Sequence, residues 1–230
     1  MLTLFKFRSL GDDDSLRRAI QILETGEFWC SKLWDMNDPM EGVFIGERTA
    51  ISASVFSRVF SEKNKCVICS FSAERAFKSP SMWGYYANGF KGIAVEIEVD
   101  KKEVHRVKYA PDVAKWITLS GRATDKTRMK RVLTTKWRSW RIEHEYRFIA
   151  ESHMNCSMRI GRVKGVHFGW PYKDVRNVDD VMANSEPLRD YVKRVRILFD
   201  TANNYGIPCF AAYTIGSEVE SVPFSLASLP

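Results

Sequence analysis

Ile93, Val95, Ile97 and Val99 alternate with Ala94, Glu96 and Glu98. An apolar residue at every second position lines one face of an extended chain, so this stretch is predicted to be a half-buried β-strand. Such a strand needs partners. Residues 2–8 set Leu2 and Leu4 against Thr3, Phe5 and Phe7, and residues 65–72 are apolar and β-rich. Further strands are predicted over 27–31, 104–109, 143–150, 163–169 and 208–214. Between them, Asp14 or Ser15 can cap a helix carrying Leu16, Ala19, Ile20 and Leu23, ended by Gly26. Residues 48–60 read as helical, and Ser79-Pro80 opens a short helix through Met82, Trp83 and Tyr86, closed by Asn88-Gly89. Residues 126–141 place Met129, Val132, Leu133 and Trp137 on one side of a basic amphipathic helix. Ser185-Glu186-Pro187 begins a long helix with Leu188, Tyr191, Val192, Val195 and Phe199 inward. Strands and helices alternate irregularly. The expectation is an α+β fold, a mixed and mostly antiparallel split sheet with flanking helices, in a single domain over 1–230.

Nucleotide-binding signatures are missing: no G-x-G-x-x-G follows the first strand, and there is no P-loop. The longest apolar runs are too short to span a bilayer, and the first eight residues lack the pattern of a signal peptide. Five cysteines is an odd, low number for 230 residues, which suggests reduced thiols in a cytoplasmic protein. Cys66 and Cys69 form a C-x-x-C inside a predicted buried strand, where residues three apart point to opposite faces; neither a zinc site nor a redox pair is expected there. His105, His144, His153 and His167 share no ligand spacing, so no metal is expected.

A net charge of +7 suggests an acidic partner. From 126 to 141 there are seven basic residues and no acidic one. Arg128, Arg131 and Arg138 are the candidates for contacting phosphates, and DNA or RNA is the first partner to consider. The run leads directly into Trp140-Arg-Ile-Glu143-His-Glu145-Tyr-Arg147. If this stretch is a strand, Glu143 and Glu145 project side by side on one face. A sheet gains nothing from adjacent like charges, whereas a carboxylate pair on the rim of a cleft can stabilise a cationic transition state.

Other polar landmarks come earlier in the chain. Arg8 ends the first strand in Phe5-Lys6-Phe7-Arg8-Ser9-Leu10, and Asn37-Asp38-Pro39-Met40-Glu41 is an acidic loop. Cys69-Ser70-Phe71-Ser72 ends a buried strand with two hydroxyls on one face, followed by Met82-Trp83-Gly84-Tyr85-Tyr86-Ala87. In this order the landmarks resemble a widespread bacterial family of uncharacterised proteins, with motifs K-Y-R-S-L, N-D-P-x-E, C-F-S, M-W-x-x-Y-A and W-x-x-E-x-E-[YW]-R. The resemblance runs from residue 5 to about 148 and implies kinship without an activity.

A more distant resemblance carries chemistry. An arginine on the first strand, S-x-S on a middle strand and E-x-E before a later one is similar to the R-S-E signature of ADP-ribosyltransferases. The resemblance implies an ADP-ribosyltransferase-like fold and cleavage of NAD. It makes Arg8 the phosphate ligand, Ser70 and Ser72 the ribose-side serines, Glu145 the catalytic glutamate and Glu143 the acceptor-side residue. Those residue types suit the roles: a guanidinium matches phosphate bidentately, and a fixed carboxylate favours the positive charge that grows on ribose as an N-glycosidic bond breaks. Trp83 or Tyr86 would stack on the nicotinamide. Phe71 departs from the pattern, since threonine is usual there.

Two other classes remain open on sequence alone. One is a non-catalytic nucleic-acid-binding module gripping its partner with the basic run and the tryptophans. The other is a nuclease holding Mg²⁺ with Asp38, Glu41, Glu143 and Glu145. Each landmark also has a purely structural reading: Trp83, Tyr85 and Tyr86 as core, the basic run as a solvated face, and Asn37-Asp38-Pro39 as a turn.

Overall fold

The computed structural model of the chain describes residues 1–36, 50–111, 124–170 and 185–224. The Asn37-Asp38-Pro39 loop and Glu41 lie outside these residues. In chain order the elements are β1 (Leu2–Ser9), α1 (Asp13–Thr25), β2 (Glu27–Cys30), α2 (Ala50–Asn64), β3 (Cys66–Ser72), α3 (Glu74–Phe77), α4 (Pro80–Tyr86) and β4 (Gly92–Val99). They continue with β5 (Val104–Arg106), β6 (Lys108–Ala110), α5 (Asp125–Leu133), β7 (Thr135–Trp137), β8 (Glu145–Glu151) and β9 (Cys156–Arg159). The last are β10 (Arg162–Gly169), α6 (Glu186–Asn204), β11 (Cys209–Ile215) and β12 (Glu218–Pro223). The fold is α+β with a mixed sheet, as the irregular order of periodicities implies. Among the described residues no helix is long and apolar enough to cross a membrane.

The chain forms two compact units, each built from separate segments. The first contains Met1–Phe28, Phe71–Asp100 and Arg159–Pro230. Its strands run in the order β12-β11-β10-β4-β1, with the end of β3 beside β1. β1 and β4 pair antiparallel from Leu2↔Val99 to Ser9↔Gly92. β10 and β11 are parallel, joined by the crossover helix α6, and β11 returns antiparallel into β12. The period-2 pattern seen in the sequence is what both faces of this sheet use. Phe5 and Phe7 of β1, Ala94 of β4 and Ala212 of β11 meet Phe77, Met82 and Trp83 from α3 and α4. Leu4, on the other face of β1, is equally buried. α1 starts two residues or more before the sequence suggests, because Asp12, not Asp14 or Ser15, is its cap and accepts from the Ser15 N–H at 2.7 Å. Gly26 ends it in the left-handed conformation.

The second unit contains Trp29–Ser70 and Lys101–Met158. Its strand order is β3-β8-β5, and the separate pair β6-β7 is parallel. Val55 and Val59 of α2 and Met129, Val132 and Leu133 of α5 close its core over Cys66 and Ile68 of β3. The C-x-x-C lies on β3 as a buried strand with free thiols. The basic stretch is not one helix. α5 ends at Leu133, residues 135–137 turn into β7, and Arg138–Glu143 is a 3-10 helix. Arg58 and Arg128 both hold Asp125 at the start of α5, at 2.7 and 2.9 Å. Arg128 is therefore largely buried structure and not a free phosphate contact; this corrects its sequence-based assignment.

Candidate functional site

The Glu143–Glu145 pair lies in the second unit and is built differently from the expected strand. Glu143 closes the 3-10 helix, His144 takes a left-handed backbone with φ of 42°, and only Glu145 belongs to β8. That kink, costly for a residue other than glycine, aims both carboxylates inward at the same ammonium. Lys136 Nζ donates to Glu143 Oε2 at 2.7 Å and to Glu145 Oε2 at 3.4 Å. From the same strand as Glu145, Arg147 donates to it twice, Nε to Oε1 at 2.7 Å and Nη2 to Oε2 at 3.1 Å. Arg147 Nη1 donates to the Leu133 carbonyl at 2.7 Å, which ties the cluster to the end of α5.

The surrounding ladders hold this geometry. Tyr109 of β6 lies opposite Lys136 of β7, and its Oη accepts from the Glu145 N–H at 2.8 Å. His105 of β5 lies opposite Arg147. The Trp140 ring sits 5.0 Å from Lys136 Nζ, within reach of a cation–π contact. All four charged side chains are buried, Arg147 completely.

Two cations and two carboxylates make a neutral quartet, which explains how four charges tolerate burial together. Burial alone would push the Glu145 carboxyl up; Arg147, Lys136 and the Ser70 hydroxyl outweigh it and hold the pKa at about 2. Burial pushes the Tyr109 phenol well above its ordinary range. Glu145 is thus a fixed, ionised carboxylate with the Ser70 hydroxyl close enough to favour its charge. Lys136 Nζ lies between the two carboxylates, and Asp38 and Glu41, the other two Mg²⁺ ligands considered from the sequence, lie outside the described residues. Among the described residues no cluster of three or more His, Cys, Asp or Glu is placed for a metal ion.

No protein-family model matches the chain, and neither a curated protein nor a solved structure matches it. The residues themselves must carry the reading. Of those singled out in the sequence, Glu143, Glu145 and Ser70 come together in the second unit. Arg8, Ser72, Trp83 and Tyr86 belong to the first. Arg8 is half-buried near the end of β1, opposite Ile93, and Ser72 lies opposite Phe5.

Trp83 is a core residue. Its ring is stacked on Phe90 at 5.3 Å, edge-on to Phe7 and Phe77, with no exposed surface. Its indole N–H donates to the Phe77 carbonyl at 2.8 Å. That packing leaves no face for a nicotinamide, which corrects the stacking role for Trp83. Tyr86 is half-buried and packs against the same cluster.

Sequence reasoning did not single out Lys136, Arg147 or Tyr109 as site residues. The signal for the first two was present: a lysine and an arginine flanking E-x-E, in a chain where neighbouring carboxylates need counter-charges. Tyr109 is distant in sequence and only the β6–β7 pairing brings it in. Of the basic run, Lys126, Lys130, Arg131, Arg138 and Arg141 are exposed, while Lys136 is held inside the quartet.

Proposed function

We propose that this protein is an NAD-cleaving, ADP-ribosyltransferase-like enzyme with an anionic acceptor, nucleic acid being the first candidate, and that its fold is related to that superfamily. The observation that carries this reading is the ionised Glu145 carboxylate, paired with Arg147 and Lys136, with the Ser70 hydroxyl nearby. Glu145 and Ser70 are two of the three landmarks of the R-S-E pattern, 75 positions apart in the chain and close in space. A carboxylate whose charge is fixed before substrate arrives needs no reorganisation when positive charge grows on the ribose. The neutral quartet adds a second advantage, because a bare pair of carboxylates would repel the pyrophosphate of the dinucleotide. Glu143, on the other arm of Lys136, is the acceptor-side residue. Arg8 is assigned to the phosphates by the resemblance.

Ser70→Ala is the variant that tests this reading without dismantling the quartet. It removes the hydroxyl near the carboxylate and leaves Lys136 and Arg147 paired. Hydrolysis of NAD, followed as nicotinamide release, is expected to fall by about tenfold to a hundredfold, with the unfolding midpoint changed little. Wild-type protein that neither releases nicotinamide nor binds NAD by calorimetry would end the proposal. Arg8→Lys should weaken NAD binding even though the charge survives, since a lysine cannot form the planar fork.

The acceptor is tested separately on the exposed cations. Replacing Lys130, Arg131 and Arg138 with glutamine is expected to weaken RNA or DNA binding about equally for all sequences. The slope of log affinity against log salt should become shallower by close to one unit for each phosphate that is no longer neutralised. Wild-type protein that shows no binding at low salt would move the search to protein or small-molecule acceptors.

A further inference from the structure

The first unit holds a chain of hydrogen bonds separate from the carboxylate quartet. His167 on β10 has Nδ1 2.7 Å from Ser221 Oγ on β12 and Nε2 3.1 Å from Glu96 Oε2 on β4. The register explains the reach. Ala94 is directly opposite His167, so Glu96 lies diagonally across the β4–β10 ladder. Towards β12 the intervening positions are Gly169 and Ala212, the latter opposite Ser221. The short methyl of Ala212 lets the imidazole and the hydroxyl meet, while at Gly169 a side chain would strike the Phe90 backbone. The imidazole is stacked on Phe210 at 4.8 Å and meets Phe77 and Phe5 edge-on. It is buried, while Glu96 and Ser221 are partly exposed.

The chemistry of the three groups sets the direction of the bonds. The hydrogen bond from His167 lowers the pKa of Glu96 against the upward push of burial, and positive charge on the ring, then on Lys164, pulls the same way. An ionised carboxylate can only accept, so Nε2 must carry the hydrogen. In the neutral ring Nδ1 then offers a lone pair, and the Ser221 hydroxyl must be the donor. A hydroxyl donating to an imidazole that is itself oriented by a carboxylate is the arrangement of a base-activated nucleophile, recognised by geometry and not by order in the chain.

We propose that Ser221, His167 and Glu96 form a nucleophilic triad that accepts acyl groups from activated esters of small apolar acids. Ser221 Oγ bonds to the acyl carbon while its proton passes to His167 Nδ1. The ester C–O bond breaks and the leaving alcohol takes that proton. Water then attacks the acyl-serine by the same route, releasing the acid and regenerating the hydroxyl. Glu96 is a positioning residue that steadies the imidazolium. The aromatic rings around the imidazole favour an apolar acyl group.

The full chain treated with a fluorophosphonate is expected to carry one phosphonyl group on Ser221, located by mass spectrometry of its peptides, and to turn over p-nitrophenyl acetate. Ser221→Ala should abolish both, and His167→Gln should slow labelling by about a hundredfold. Glu96→Gln, at a partly exposed position, tests the same link if His167→Gln does not fold. It should slow labelling and move the midpoint of its pH profile to lower pH, because the imidazolium loses its counter-charge. Folded wild-type protein without a Ser221 adduct overturns the proposal. So does labelling of Glu96→Gln at the wild-type rate and pH midpoint.

Discussion

Glu145→Gln is expected to lose about 3–5 kcal/mol of folding stability, read as a lower urea midpoint with an unchanged slope. The substitution is nearly isosteric, so the loss comes from charge and not from volume. Arg147 has no exposed surface and makes two of its hydrogen bonds to this one carboxylate. Neutralising Glu145 leaves that guanidinium, and half of the claim on Lys136, buried without a counter-ion. The double variant with Arg147→Met should recover part of the loss, since removing both members of a buried pair costs far less than removing one. Loss of activity in Glu145→Gln alone therefore says little about chemistry, and Ser70→Ala is the cleaner probe. The same site governs acid stability. Glu145 titrates at about 2 in the folded protein, below its ordinary value of 4.5. A depressed carboxyl contributes stability above its unfolded pKa and loses it as the pH falls through the folded one. Stability should decline from about pH 5 towards pH 2 in the wild type, and much less steeply in the double variant. An acid profile identical in the two would place the titrating group elsewhere.

Trp83→Ala is expected to cost about 3–5 kcal/mol, as large-to-small changes of a buried aromatic do. The indole fills the space between α4 and the β1 face, and its N–H satisfies the Phe77 carbonyl. Alanine leaves a cavity bordered by Phe7, Phe77 and Phe90, together with an unpaired acceptor. Trp83→Phe should retain most of the packing and lose the hydrogen bond, a smaller deficit of about 1–3 kcal/mol. Thermal unfolding of both variants measures the difference. NAD affinity should be the same in Trp83→Phe and in the wild type. A Trp83→Phe protein that is fully stable but has lost NAD binding would return this ring to the cofactor site.

Much of the architecture was legible because its causes are local. The alternation over residues 93–99 is a backbone period, and it emerged as β4 with Ala94 and Glu96 on one face. The Ser185-Glu186-Pro187 start and the inward Leu188, Tyr191, Val192 and Val195 emerged as α6. β12 received no sequence-based assignment, although the Ile215-Gly216-Ser217 turn with its left-handed glycine marks the hairpin that creates it. The basic run is not the single helix that its spacing suggests. Its apolar spacing fits a helix up to Leu133, whereas Thr134-Thr135, two β-branched residues that favour extended backbone, end it there.

Sequence alone determined the periodicities, the caps and the supply of charge: two carboxylates, a lysine and an arginine within twelve residues, and an excess of cations around them. Only the tertiary structure decided which charges meet. The left-handed turn at His144 breaks the expected E-x-E strand, and the β6–β7 pairing brings Lys136 and Tyr109 to the carboxylates. Partner choice among buried charges is a matter of distance and desolvation, and both are set by long-range packing that no local pattern encodes. The same holds for Glu96, His167 and Ser221, three ordinary positions in the chain that one sheet register places in a row.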